Sequence, residues 1–123
     1  IVDMQFRAQG IGYGHQYPNA MYFIVEKQRD RIGKVTLDFG PNAVHVVDIA
    51  FIPAARGKGY GKGVLQAIQM AAGMSKAPVV LSVAKDNYPA RQLYTQLGFR
   101  LEEAGTMYDR LIWYPDVRAM RGS

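Results

Sequence analysis

The sequence contains no cysteine. A disulfide framework, a thiolate zinc site and a cysteine nucleophile are therefore excluded, and a reducing cytoplasm is the expected compartment. It has one tryptophan and no apolar run near the ~20 residues that cross a bilayer, so no membrane is expected among its partners. No basic start followed by an apolar segment is present, so no secretory leader is expected. Acidic residues are the scarcer sign, 10 against 15 basic, for a formal net charge of +5. The rest is ordinary for a folded chain: 123 residues, 49% hydrophobic and 20% charged, which suits one domain and excludes a disordered tail. We expect a single domain over residues 1–115 and a flexible tail over 116–123.

The positive excess is confined to one stretch. Between Pro53 and Arg91 stand six basic residues (Arg56, Lys58, Lys62, Lys76, Lys85 and Arg91) and one acidic residue, Asp86, while the remainder balances nine against nine. Four of the 13 glycines, Gly57, Gly59, Gly61 and Gly63, alternate inside the same stretch. Cations beside exposed backbone N–H groups suit a phosphate-bearing partner. The basic residues form no helical stripe interleaved with aromatics, so nucleic acid is not the expected partner.

Residues 2–11 read as the end of a helix, broken by Gly10, Gly12 and Gly14 and followed by a loop over 13–19 that contains His15. Strands are expected at 21–26, 32–39 and 43–52, joined by short polar turns into an antiparallel meander. After the glycine loop, Val64, Leu65, Ile68, Ala71 and Ala72 keep the spacing of one helical face, with Gly73 near its end. Residues 79–83 form a short apolar strand of the kind buried on both faces. Pro89 suits the first turn of a second helix whose inner face is Ala90, Leu93, Tyr94 and Leu97, with Gly98 as its stop. Strands at 99–103 and 106–114 complete an α+β domain with a mixed sheet; Trp113 and Tyr114 at its end offer apolar surface for a homodimer.

The chemistry concentrates where the third strand meets the first long helix. Glycines permit φ > 0 and close approach of a ligand, and a helix N-terminus gathers free N–H groups with the positive end of its dipole. The product is a pyrophosphate cradle over Arg56, Gly57, Lys58, Gly59, Tyr60, Gly61 and Lys62. It is not a Walker A loop, because Lys62 is followed by Gly63 rather than a hydroxyl residue. Nor is it a dinucleotide fingerprint, which would follow the first strand of a βαβ unit and carry an acidic residue about 20 positions on.

The run Arg56-Gly57-Lys58-Gly59-Tyr60-Gly61 instead resembles R-x-x-G-x-G, motif A of the GNAT superfamily of N-acetyltransferases. A second run, Asn87-Tyr88-Pro89-Ala90-Arg91-Gln92-Leu93-Tyr94-Thr95-Gln96-Leu97-Gly98-Phe99, resembles that family's N-x-x-A-x-x-L-Y-x-x-x-G-F signature, in the right order after one helix and one strand. The resemblance covers residues 21–114 and implies the GNAT fold: a mostly antiparallel sheet flanked by helices, with a parallel strand pair splayed at the coenzyme site. The family's first helix is read as truncated, so that the chain opens in the second.

The resemblance implies acetyl transfer from acetyl-CoA, without a metal, to a primary amine on a small molecule or peptide. Backbone groups of Ala50, Phe51 and Ile52 would hold the pantetheine arm and the thioester oxygen, and the loop over 56–62 the pyrophosphate. Tyr94 would be the general acid for the departing thiolate; its other reading is a core tyrosine. Asn87 would bond the coenzyme arm or cap its helix, and Arg91 would meet a phosphate or simply lie on the helix surface. The base is open between His45, Asp48 and solvent, since odd and even positions on a strand put His45 and Asp48 on opposite faces. A module that binds acyl-CoA without turning it over is the alternative function.

Overall fold

Met4, Phe6 and Ala8 alternate with Gln5, Arg7 and Gln9, and this period of two builds a strand, β1 (Met4–Ile11), where the sequence reading expects the end of a helix. β1 pairs antiparallel with β2, and that ladder overrides the mixed helical spacing. The computed structural model describes residues 4–11, 17 and 19–115. His15 and the tail over 116–123 lie outside them. Pro115, the last residue of the expected domain, is buried.

The expected meander follows as β2 (Ala20–Lys27), β3 (Asp30–Phe39) and β4 (Val44–Phe51). A 3-10 turn at Pro53–Ala55 and the glycine loop lead into α1 (Tyr60–Met74) and then β5 (Val79–Ala84). α2 (Tyr88–Gln96), β6 (Arg100–Ala104) and β7 (Tyr108–Trp113) complete the chain. The seven strands form one sheet in the order β1-β2-β3-β4-β5-β7-β6. Every neighbouring pair is antiparallel except β4 with β5.

Both helices cover the same face of the sheet. Gln69 of α1 donates its side-chain amide to the Leu97 carbonyl at the end of α2, 2.8 Å away. Val64, Leu65, Ile68 and Ala72 of α1 bury themselves against Val35, Leu37, Val46, Val79, Leu81 and Leu111. The expected inner face of α2 (Ala90, Leu93, Tyr94 and Leu97) packs against this core from its edge. Ala71 departs from expectation: it is exposed, on the wall of an open apolar groove with Phe6, Phe23 and Phe39. Trp113 turns inward, half-buried against Gly73 and Gly98, while Tyr114 of the same expected surface is exposed.

β4 carries the irregularity that matters most. Asp48 faces Thr36 on β3, but Val46 faces Leu37, which leaves Val47 as a bulge. On β7, opposite Val83 of β5, buried Asp109 gathers three donors: Lys85 Nζ at 2.6 Å, Arg91 Nη1 at 2.8 Å and the Gly105 amide at 3.3 Å. The Lys85 hydrogen bond above all, with those of Arg91 and Gly105, holds the Asp109 carboxyl below its usual range against the opposing effect of burial. A depressed carboxyl contributes stability above its unfolded pKa and loses it as pH falls through the folded one. Asp109→Asn should therefore lower the melting temperature most at pH 7. The gap from the unsubstituted chain should narrow as pH drops below about 4, as scanning calorimetry at several pH values would read.

Candidate functional site

The parallel pair β4–β5 holds together over three residues only: Val44 with Val79, His45 with Val80 and Val46 with Leu81. Beyond them β4 stays bonded to β3 as far as Phe51, and β5 to β7 as far as Ala84, while the two strands part from each other. The sheet is thus split by a wedge that opens towards the glycine loop.

Hydrogen-bond alternation identifies the backbone groups that face the wedge. The Ile52 amide donates to the Ile32 carbonyl at 3.0 Å, and Phe51 lies opposite Gly33. In an antiparallel ladder, the amides of Phe51 and Ile49 therefore point away from β3 and into the gap. This corrects the expected set. Ile52 and Ala50 direct their amides to β3, so the groups open to a ligand belong to Phe51 and to Ile49, which alternation on the sequence alone does not single out.

The glycine loop supplies the other donors. Gly57 and Gly59 hold φ of +74° and +79°, a region L side chains rarely occupy, and a Cβ at either would meet nothing within 4 Å. Gly59 starts α1 without a side-chain cap, and the first bond of the helix runs from the Gly63 amide to the Gly59 carbonyl at 3.3 Å. The amides of Gly57, Lys58, Gly59, Tyr60, Gly61 and Lys62 consequently donate to no group among the described residues. The first turn of α1 contains no acid, and Arg56, Lys58 and Lys62 pair with no carboxylate among the described residues. Arg56 Nε donates to the Phe51 carbonyl at 3.1 Å, tying the loop to the strand end. Donors without a partner among the described residues, a helix dipole and the cations of Arg56, Lys58 and Lys62 meet beside the wedge; the arrangement suits a diphosphate.

Gly33 is a site residue that the sequence reading missed. A Cβ there would lie 2.6 Å from the Ala50 carbonyl oxygen and 2.7 Å from Phe51 Cδ1. Gly33 thereby seats the Phe51 ring, which also packs against Tyr60 with centroids 6.4 Å apart. A glycine inside a strand pattern is the sequence signal for such a close approach.

Tyr94 stands on the helix-covered face, half-buried, with its ring 5.9 Å from that of Phe99. Burial raises its phenol pKa. The Asn87 side-chain oxygen accepts from the Ala90 amide at 3.3 Å and so caps α2. Arg91 engages Asp109.

His45 and Asp48 require a second correction. His45 faces Asp38 and Asp48 faces Thr36, and residues 36 and 38 share one face of β3. The Val47 bulge has shifted the alternation, so both candidate bases lie on the same face, opposite the helices. Burial first and the Arg110 guanidinium second lower the His45 pKa, with Asp38 pulling the other way; the imidazole is thus neutral near pH 7. Tyr17 packs edge-on against its ring, centroids 5.4 Å apart. Among the described residues no group of three His, Asp or Glu side chains is arranged to hold a metal ion, and no helix is long and apolar enough to cross a membrane.

Residues 3–99 match the model of the acetyltransferase (GNAT) family. No curated protein matches the sequence significantly. Among solved structures, the dodecameric spermidine N-acetyltransferase of Vibrio cholerae superposes with a TM-score of 0.77, covering all of both chains at 18% identity. A GNAT acetyltransferase of Elizabethkingia anophelis with acetyl-CoA bound gives 0.75 at 14% identity, over 91% of this chain and 98% of that one. The PaiA N-acetyltransferase of Thermoplasma acidophilum in complex with coenzyme A gives 0.65 at 18% identity, over 78% and 61%. At such identities the likeness is one of fold.

Gly33→Ala should cost about 1–3 kcal/mol in urea denaturation, because the new methyl meets backbone that cannot step aside. The same substitution should disturb Phe51 and the wedge beside it.

Proposed function

The chain belongs to the GNAT family of acetyltransferases, and from that premise we propose that it transfers the acetyl group of acetyl-CoA directly to a primary amine, both bound at once. The observation that carries this reading is the run of six amides from Gly57 to Lys62, unpaired among the described residues, beside the parted strands β4 and β5. Two neighbours in the same fold hold acetyl-CoA or coenzyme A, which supports the carrier.

Each residue then has a task. The amides over 57–62, with Arg56, Lys58 and Lys62, bind the diphosphate. The wedge takes the pantetheine arm, whose amide groups complete the ladder that β4 and β5 leave open. An amide at Ile49 or Phe51 donates to the thioester oxygen and stabilises the charge it gains when the amine nitrogen attacks the carbonyl carbon. A neutral amine is the nucleophile, and His45 or Asp48 on the far face receives its proton. The C–S bond then breaks, and Tyr94 on the helix face protonates the thiolate. A phenol kept protonated by burial can serve as that acid, and a neutral imidazole can act as the base. Acid and base thus lie on opposite faces, and the reacting carbon passes between them through the split.

Tyr94→Phe should lower kcat by roughly 100-fold or more while leaving the Kd of coenzyme A unchanged, as thiol release and calorimetry would record. An unchanged kcat would remove the acid role. Gly59→Val should weaken coenzyme A binding at least tenfold, since a β-branched residue resists φ near +79°. Gly59→Asn, which tolerates that region, should bind more tightly than the valine variant in the same titration.

A further inference from the structure

The helix that carries Tyr94 is held in place by little apolar burial. α2 has nine residues, none of them fully buried, and a helix of that length is only marginally stable by itself in water. Its inner side chains Ala90, Leu93 and Tyr94, with Leu97 just beyond, touch the core while staying partly exposed. Apolar contact is non-directional, so it brings α2 onto the sheet without fixing how the helix is turned about its own axis.

Among the described residues, two side-chain hydrogen bonds join α2 to other elements and supply that direction. At its C-terminal end, Gln69 of α1 donates to the Leu97 carbonyl at 2.8 Å. Within the helix, Arg91 is the one side chain that bonds to the sheet, its Nη1 donating to Asp109 Oδ2 at 2.8 Å. The polar side chains of Asn87 and Thr95 bond to the backbone of α2 itself. The carboxylate that Arg91 meets is firmly seated. Asp109 is buried, faces Val83 of β5 and also accepts from Lys85 and the Gly105 amide, on a strand bonded to β5 on one side and β6 on the other. A charge-assisted bond to that frame is among the stronger polar contacts. It refers α2 to β5, which forms one wall of the wedge.

Tyr94 follows Arg91 by three positions, so the two side chains are neighbours on one face of α2. The tip of a long side chain stands about 6 Å from its helix axis, so a turn of α2 by ~10° carries it about 1 Å. A displacement of about 1 Å takes an acid out of hydrogen-bond reach and costs on the order of 100-fold in rate.

We propose that Arg91 and Asp109 are a positioning pair for Tyr94, fixing the turn of α2 so that the phenol faces the wedge. The inference rests on the acetyl-transfer reading for what the phenol does there.

Two measurements on the full chain test it. The first needs no turnover: the titration of the Tyr94 phenol, followed by the NMR signal of its ring carbon Cζ and assigned by its loss in Tyr94→Phe. Arg91→Leu should bring the raised pKa back towards the ordinary tyrosine value as α2 turns; loss of a nearby cation alone would move it up. The second is thiol release from acetyl-CoA with n-butylamine as acceptor. Arg91→Leu should lower kcat at least tenfold with KM for acetyl-CoA within twofold, and Arg91→Lys should recover most of the loss. In the Tyr94→Phe background Arg91→Leu should add less than a twofold loss. If Arg91→Leu does not fold, Arg91→Gln carries the same comparisons. An unmoved Tyr94 titration, Arg91 and Tyr94 losses that multiply, or a raised KM with kcat unchanged, which would assign Arg91 to a phosphate, each overturns the pair. Absence of thiol release in the unsubstituted chain would instead defeat acetyl transfer, and the titration would still decide whether the pair sets the place of the phenol.

Discussion

The parting of β4 from β5 is the constraint on which the rest of this molecule depends. Both strands are fully bonded on their outer sides, to β3 and to β7, yet they share only three pairs with each other. The Val47 bulge bends β4 just where pairing ceases, as an extra residue in a strand increases its local twist. Pro53, without an N–H, then closes the strand and turns the chain into the glycine loop. Had the strands stayed paired, the amides of Ile49 and Phe51 would be consumed by the sheet. Parted, they are fixed donors on a rigid frame, which is what stabilisation of a developing oxyanion requires.

The split also distributes the charges. On its helix side stand Arg56, Lys58 and Lys62 with the start of α1, suited to a diphosphate. On the other side stand Asp38, His45 and Asp48. A chain with net charge +5 thus carries groups of opposite charge on the two sides of the split. The bulge contributes here as well, because without it Asp48 would point into the apolar core beside Val46.

Much of the fold is legible in the residues themselves. The glycine alternation over 57–63, the helical spacing from Val64 to Ala72 and the run from Asn87 to Phe99 identify two helices, the loop and the family, because local backbone preference and side-chain period act within a few residues. β1 was less legible: Met4, Phe6 and Ala8 do alternate, but the choice between helix and strand was made by pairing with β2, a partner distant in sequence. Gly33 offered only the hint of a glycine within a strand; its need came from the Phe51 ring of the neighbouring strand.

The sequence by itself determined where a phosphate cradle forms and which side chains accompany it, since glycine conformation and the amides of a helix start are local properties. The tertiary structure alone decided which backbone amides remain open, that His45 and Asp48 share a face, and that Asp109 engages Arg91. Those outcomes depend on register and on a bulge. One inserted residue reverses the direction of every side chain beyond it, and strand pairing between distant segments sets its position.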